Sequence, residues 1–259
     1  MIKNVTYSLL IILIFFSCQS KKQDQEIEAT IGSVLTTDEN TEESLSEEVT
    51  STPIKKDFSA LIPKSFIIFE ELHGDLNKDG VDDLVLIIKD TDKENIIDDE
   101  YRGRLDRNRR GIIIVFKKGD KYEPIIQNQS CFSSENEDGG VYFAPELFVA
   151  INDKGNLEID YGHGRYGHWG YIFRYQNNDF EMIGFSSESN RGPVGLSKTS
   201  INFSTKKMLV SVNTDENCES GEEKWEDKWT DIQDKPLIKL SNIEDFDSIS
   251  LDKYTTESN

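Results

Sequence analysis

The sequence predicts an all-β domain, an antiparallel meander of hairpins forming either a sandwich or a small degenerate propeller. Two observations lead there. Apolar residues fall in short runs of strand length separated by Gly, Asn, Asp and Lys turns, and no stretch of comparable strength carries i, i+3, i+4, i+7 spacing. The turn centres near 77, 119, 154, 178 and 206 are unevenly spaced, which argues against a regular repeat array.

Taken in order, Phe66–Phe69 and Leu84–Ile88 read as strands flanking an acidic turn. Ile112–Phe116 leads through Lys117-Lys118-Gly119-Asp120 to Tyr122–Ile126. The runs 84–88 and 112–116 are apolar throughout, as expected of central strands covered on both faces. Leu147–Ile151 turns at Asn152–Asn156 into Leu157–Tyr161, whose clean alternation marks a half-buried strand. Tyr171–Tyr175 turns at Gln176–Asp179 into Phe180–Phe185, and Ser200–Phe203 turns at Ser204–Lys207 into Met208–Val212. A last strand is expected at Leu237–Leu240. Trp225 and Trp229, four apart among charges, fit either a helix face or a strand edge.

The acidic turn carries the sharpest chemical signal. Asp75, Asn77, Asp79 and Asp83 occupy loop positions 1, 3, 5 and 9, with Gly80 at position 6. Calcium takes about six to eight oxygens at ~2.3–2.6 Å. Alternate side chains of a curled loop point inward, the carbonyl of Val81 supplies a main-chain oxygen, and Gly80 accepts the positive φ of the sharp turn. An EF-hand would place Glu at position 12, where this chain has Leu86 inside a strand. Strand, calcium loop, strand, with the phrase from Gly74 to Leu86, resembles the FG-GAP or VCBS-type motif of integrin alpha chains and bacterial surface proteins. That resemblance implies a structural calcium bracing a hairpin and implies no catalysis.

At the N-terminus, Lys3 precedes the apolar core Leu9–Phe16. The core is shorter than the ~20 residues that span a bilayer and suits a secretory signal. It ends in Ser17-Cys18, which resembles the lipobox of bacterial lipoproteins and implies acylation of Cys18. Residues 1–17 are then the signal peptide. Residues 18–57 are too poor in aliphatics to offset the entropy of ordering and form an acidic flexible tether. Residues 58–247 form a single β domain and 248–259 a disordered tail. The expected location is the cell envelope, with a membrane anchor through lipid.

Net charge is −20, and so acidic a surface repels phosphate backbones and excludes nucleic acid as a partner. Cys131 and Cys218 remain once Cys18 is assigned. In an oxidising compartment they are either a disulfide, worth ~4–5 kcal/mol for a loop this long, or two free buried thiols.

A second candidate site lies in Gly162–Arg174. His163, Arg165, Tyr166, His168 and Trp169 sit among glycines and would suit a ligand-binding loop for a protein or glycan; the alternative is a wide turn with Trp169 on the core. A transition metal would need three or four ligands, and only two histidines are near. The Arg102–Arg110 cluster behind Asp98-Asp99-Glu100 reads as a self-neutralising loop. The order of elements over roughly residues 60–213, including Phe173–Phe180, also resembles uncharacterised Bacteroidetes-type lipoproteins, a resemblance that implies no activity. Two functions follow: a non-catalytic, calcium-stabilised lipoprotein acting as a binding module, or a secreted hydrolase with a site around His163 and His168. No nucleophile motif is visible, which favours the first.

Overall fold

The computed structural model describes residues 57–137 and 144–255. The signal peptide 1–17, Cys18 and all but the last residue of the tether lie outside them. Among the described residues no helix is long and apolar enough to cross a membrane.

The chain is all-β, as expected. Strands β1 (Phe66–Gly74), β2 (Asp83–Asp90), β5 (Arg110–Lys118) and β6 (Lys121–Phe132) make one antiparallel sheet in the order β1-β2-β5-β6. Between β2 and β5, β3 (Ile96–Asp99) and β4 (Gly103–Asp106) form a separate hairpin that carries Arg102 and Arg104 of the arginine cluster. The second sheet is an uninterrupted meander. It runs through β7 (Glu146–Ile151), β8 (Leu157–Gly162), β9 (Gly167–Gln176), β10 (Asp179–Arg191), β11 (Val194–Asn202), β12 (Lys207–Asn213) and β13 (Trp225–Asp231). All five expected turn centres fall between paired strands.

The two sheets bury one face each against the other. From the first come Val85, Ile87, Ile112, Ile114 and Phe116; from the second, Leu157, Ile159, Tyr161, Phe173, Phe180 and Met182. The opposite face of the first sheet is also apolar, with Leu84, Leu86, Ile88, Ile113 and Val115 covered by Phe58, Leu61, Ile62 and Phe66. This double covering explains why β2 and β5 read as unbroken apolar runs rather than alternating ones. The short 3-10 turn Asp57–Leu61 is what supplies the outer cover.

Two sequence expectations need correction. Leu237–Leu240 is not a strand: Met182 N donates to the Ile238 carbonyl at 2.8 Å and Lys239 makes a single bridge to Glu181. Nor is the region after 247 a disordered tail, as far as it is described. Ile249 and Leu251 pack on the core, and Tyr254, 1% exposed, lies in the one-turn helix α1 (Asp252–Thr255). Its hydroxyl donates to the Pro236 carbonyl at 2.8 Å, and its own carbonyl accepts from Gln233 N at 2.8 Å. The apolar residues 243, 246, 249, 251 and 254 follow no single period, so they gave no strand or helix signal.

Finally, Cys131 and Cys218 are both free. Cys131 is sealed in the core on β6, where burial pushes its thiol up to about 12, and Cys218 lies in the β12–β13 connection beside Asn213. A thiol so protonated and enclosed is unreactive.

Of the helix face and strand edge open to Trp225 and Trp229, the structure has the strand edge: β13 buries no face. Trp225 and Trp229 share one side of this edge strand, with Lys198 Nζ 4.6 Å over the Trp225 ring.

Candidate functional site

The acidic loop joins β1 to β2 and is curled by two left-handed residues, Lys78 (φ 65°) and Gly80 (φ 84°). Asp75 Oδ1 and Asn77 Oδ1 both accept from the amide of Asp79, at 3.0 and 2.9 Å, so the oxygens of positions 1 and 3 converge on position 5. Asp75 Oδ2 accepts from Gly80 N at 2.9 Å, and Asp79 Oδ1 from Val81 N at 2.9 Å.

Asp83 behaves differently. It is fully buried; Oδ2 accepts from the amides of Leu76 (3.0 Å) and Asn77 (3.3 Å), and Oδ1 accepts from Lys117 N (3.1 Å) on β5. Burial pushes its carboxyl above the ordinary range, the negative charge of Asp79 acts in the same direction, and the three amides pull against both.

Do these residues fit a hard cation? In kind they do, being oxygen donors at alternate positions, and among the described residues none of Asp75, Asp79 and Asp83 is ion-paired. Three carboxylates without an ion pair among the described residues, in a strongly acidic chain, are electrostatically incomplete. In spacing the fit is looser: among the described residues no group of three or more His, Cys, Asp or Glu is gathered closely enough to hold a metal. Asp83 anchors the loop, and its Oδ1 keeps one lone pair beyond the bond from Lys117.

The loop is also wedged between the sheets. Leu76 inserts into the shared core at 1% exposure. On the other side, Gly155 of the β7–β8 turn lies against it so closely that a Cβ there would meet the Asp75 carbonyl oxygen at 2.3 Å. Gly155 also has φ +67°, so Gly155→Ala combines a clash with backbone strain. We expect that variant to lose at least ~1 kcal/mol, or ~2–4 °C in Tm for each kcal/mol at this domain size. An unshifted thermal melt would mean that the turn and the loop are not in contact.

The second candidate does not assemble. The chain turns tightly between β8 and β9, with a 3-10 turn at Gly164–Tyr166 and His163 N donating to the Gly167 carbonyl at 2.8 Å. Trp169 faces inward, stacked on Tyr161 at 5.1 Å. His168, the next residue back along the strand, faces outward opposite Glu188. His163 lies against the Tyr166 ring at 5.3 Å, and its Nε2 is buried without a hydrogen-bond partner. Arg165 reaches Gly192 in the β10–β11 turn. The five residues are therefore split between core, turn and outer face. His163 lies in the turn against Tyr166, and His168 lies on β9 in register with Glu188.

What the sequence did not disclose is a pair of clefts around the β7–β8 turn, centred on Arg174 and Asn156. The only local sign was the turn itself.

No family model matches the chain, and no curated protein or solved structure matches it either.

Proposed function

We propose that this protein is a non-catalytic binding module, anchored to a membrane through lipid on Cys18 and stabilised by calcium held between β1 and β2. What carries the reading is a loop of three carboxylates with no ion pair among the described residues, curled so that its oxygens converge, wedged between both sheets through Leu76 and Gly155. Asp75, Asn77, Asp79, Asp83 and the Val81 carbonyl would hold the ion. A bound calcium would neutralise the crowded acids; Asp83 would still tie the loop to the Lys117 amide, and Leu76 would still hold it in the core. The anchor follows from the lipobox resemblance at Ser17-Cys18, and the envelope location follows from the anchor.

The size of the metal effect can be bounded. Extracellular calcium modules bind at ~10⁻⁴–10⁻³ M, so millimolar calcium stabilises by ~0.4–1.4 kcal/mol. Chelation is therefore expected to lower the Tm by roughly 1–6 °C, and Asp79→Ala to abolish the response to calcium. A differential-scanning melt with and without chelator decides it. Identical curves for the unaltered chain would dismiss the calcium brace. The anchor is tested separately: Cys18→Ala should move the protein from the membrane to the soluble fraction, and unchanged fractionation would reject lipidation.

A further inference from the structure

Two clefts run into each other around the β7–β8 turn. The larger, about 620 Å³, lies on the seven-stranded sheet; the smaller, about 540 Å³, lies between that turn and the acidic loop. Both fall within the ~300–1,000 Å³ of typical ligand sites. Asn152, Lys154, Asn156 and Arg174 line both, so a ligand in either meets the same groups.

Arg174 is the distinctive member. Its Nε donates to Asn156 Oδ1 at 3.4 Å, and Asn156 is only 4% exposed. Asn156 is itself clamped: its amide donates to Asn152 Oδ1 at 3.1 Å and its carbonyl accepts from Asn152 N at 3.0 Å. The guanidinium is thus held from its Nε side, while among the described residues no carboxylate ion-pairs with it.

Of the acids in reach, Glu181, Glu158 and Asp75 are hydrogen-bonded to other groups, and Asp153 stands at the lip. Glu181, opposite Arg174 in the strand register, accepts from Gln176 Nε2 at 2.6 Å and Asn177 Nδ2 at 3.1 Å. Glu158 accepts from Asn152 Nδ2 at 2.7 Å. Asp153 sits at the shared lip and Asp75 at the wall of the smaller cleft, where its oxygens take loop amides. Lys154 and Lys78 add two cations that also lack an ion pair among the described residues.

In a chain of charge −20, most of the surface repels anions. A planar fork with spare donors, fixed by a buried amide, is the arrangement that recognises a carboxylate in a defined orientation. Around it the larger cleft offers the Asn202 amide and the Ser186 and Ser200 hydroxyls, beside Ile172. Those are partners for a ligand rich in hydroxyls. We infer that the double cleft binds an acidic sugar, with Arg174 holding its carboxylate. The inference does not rest on calcium, because Arg174 and Asn156 belong to the seven-stranded sheet and its turn.

The test is an NMR titration of the ¹⁵N-labelled full chain with D-glucuronate, D-glucose and acetate, each with calcium and with chelator. Glucuronate should shift the Arg174 Nε–H and Gly184 amide signals saturably in both conditions, while glucose and acetate at equal concentration leave them in place. R174Q should bind glucuronate at least ~10-fold more weakly with an unchanged melt. Should R174Q fail to fold, R174K and the three-ligand comparison on the unaltered chain still decide. Unmoved signals, equal shifts from glucose or acetate, or full binding by a folded R174Q would each overturn the assignment. The calcium reading, judged by melting, would survive any of these.

Discussion

Replacing Ile114 with Asp leaves no folded domain. Ile114 is fully buried at the middle of β5, paired with Val85 on one side and Ile126 on the other. Its side chain faces the shared core, and the sheet it belongs to is covered on its other face too. Removing the branched side chain forfeits ~2–5 kcal/mol of packing. A carboxylate in its place brings a desolvation penalty of several kcal/mol if charged and an unsatisfied polar group if protonated. Together these match the ~5–15 kcal/mol that a whole domain has to lose. Expression should give insoluble protein, or soluble protein without a cooperative melt. By contrast, Ile67→Asp on the exposed side of edge strand β1, at 52% exposure, should stay within about 0.5 kcal/mol. A folded, cooperatively melting Ile114→Asp protein would show that β5 is not the sealed centre of the sandwich.

The contrast between these two isoleucines marks how far the fold was legible. Runs such as Ile112–Phe116 announce themselves because a doubly covered strand needs apolar residues at every position. Turns such as those at Asn177-Asn178 and Gly119 are visible because left-handed backbone selects those residues. The acidic loop is legible for the same local reason: its chemistry is a spacing within nine consecutive residues. The rest depends on partners far apart in the chain. Trp225–Asp231 forms a strand only because β12 offers it an edge, and its own residues are two indoles set among charges with nothing buried. Cys131 and Cys218 have the count for a disulfide, but their separation is set by the sheets. Arg174 and Asn156 meet through strand register 18 positions apart, so no motif could point to their cleft. The histidine turn shows the reverse failure: residues crowded in sequence were distributed by strand alternation to opposite faces.

The C-terminal segment is where that long-range dependence has its largest measurable consequence, and Phe246→Ala should expose it. Phe246 is 2% exposed and sits between the sheets. Its ring stacks on Phe132 at 4.9 Å from the four-stranded sheet and meets Tyr171 at 5.6 Å and Phe173 at 6.2 Å from the other. A residue that touches both sheets acts as part of the filling of the sandwich, although it lies outside any strand. Truncating a buried Phe leaves a cavity that costs about 3–5 kcal/mol, here a drop of roughly 6–20 °C in Tm. The neighbours cannot collapse into the gap easily, because Phe132, Tyr171 and Phe173 are fixed by ladder hydrogen bonds in two different sheets. Calcium should shift the melting of the variant by as many degrees as it shifts the unaltered chain, since the acidic loop is not in contact with Phe246. A loss below ~2 °C would instead mean that residues 240–255 are an accessory flap and that the two sheets close on each other without them.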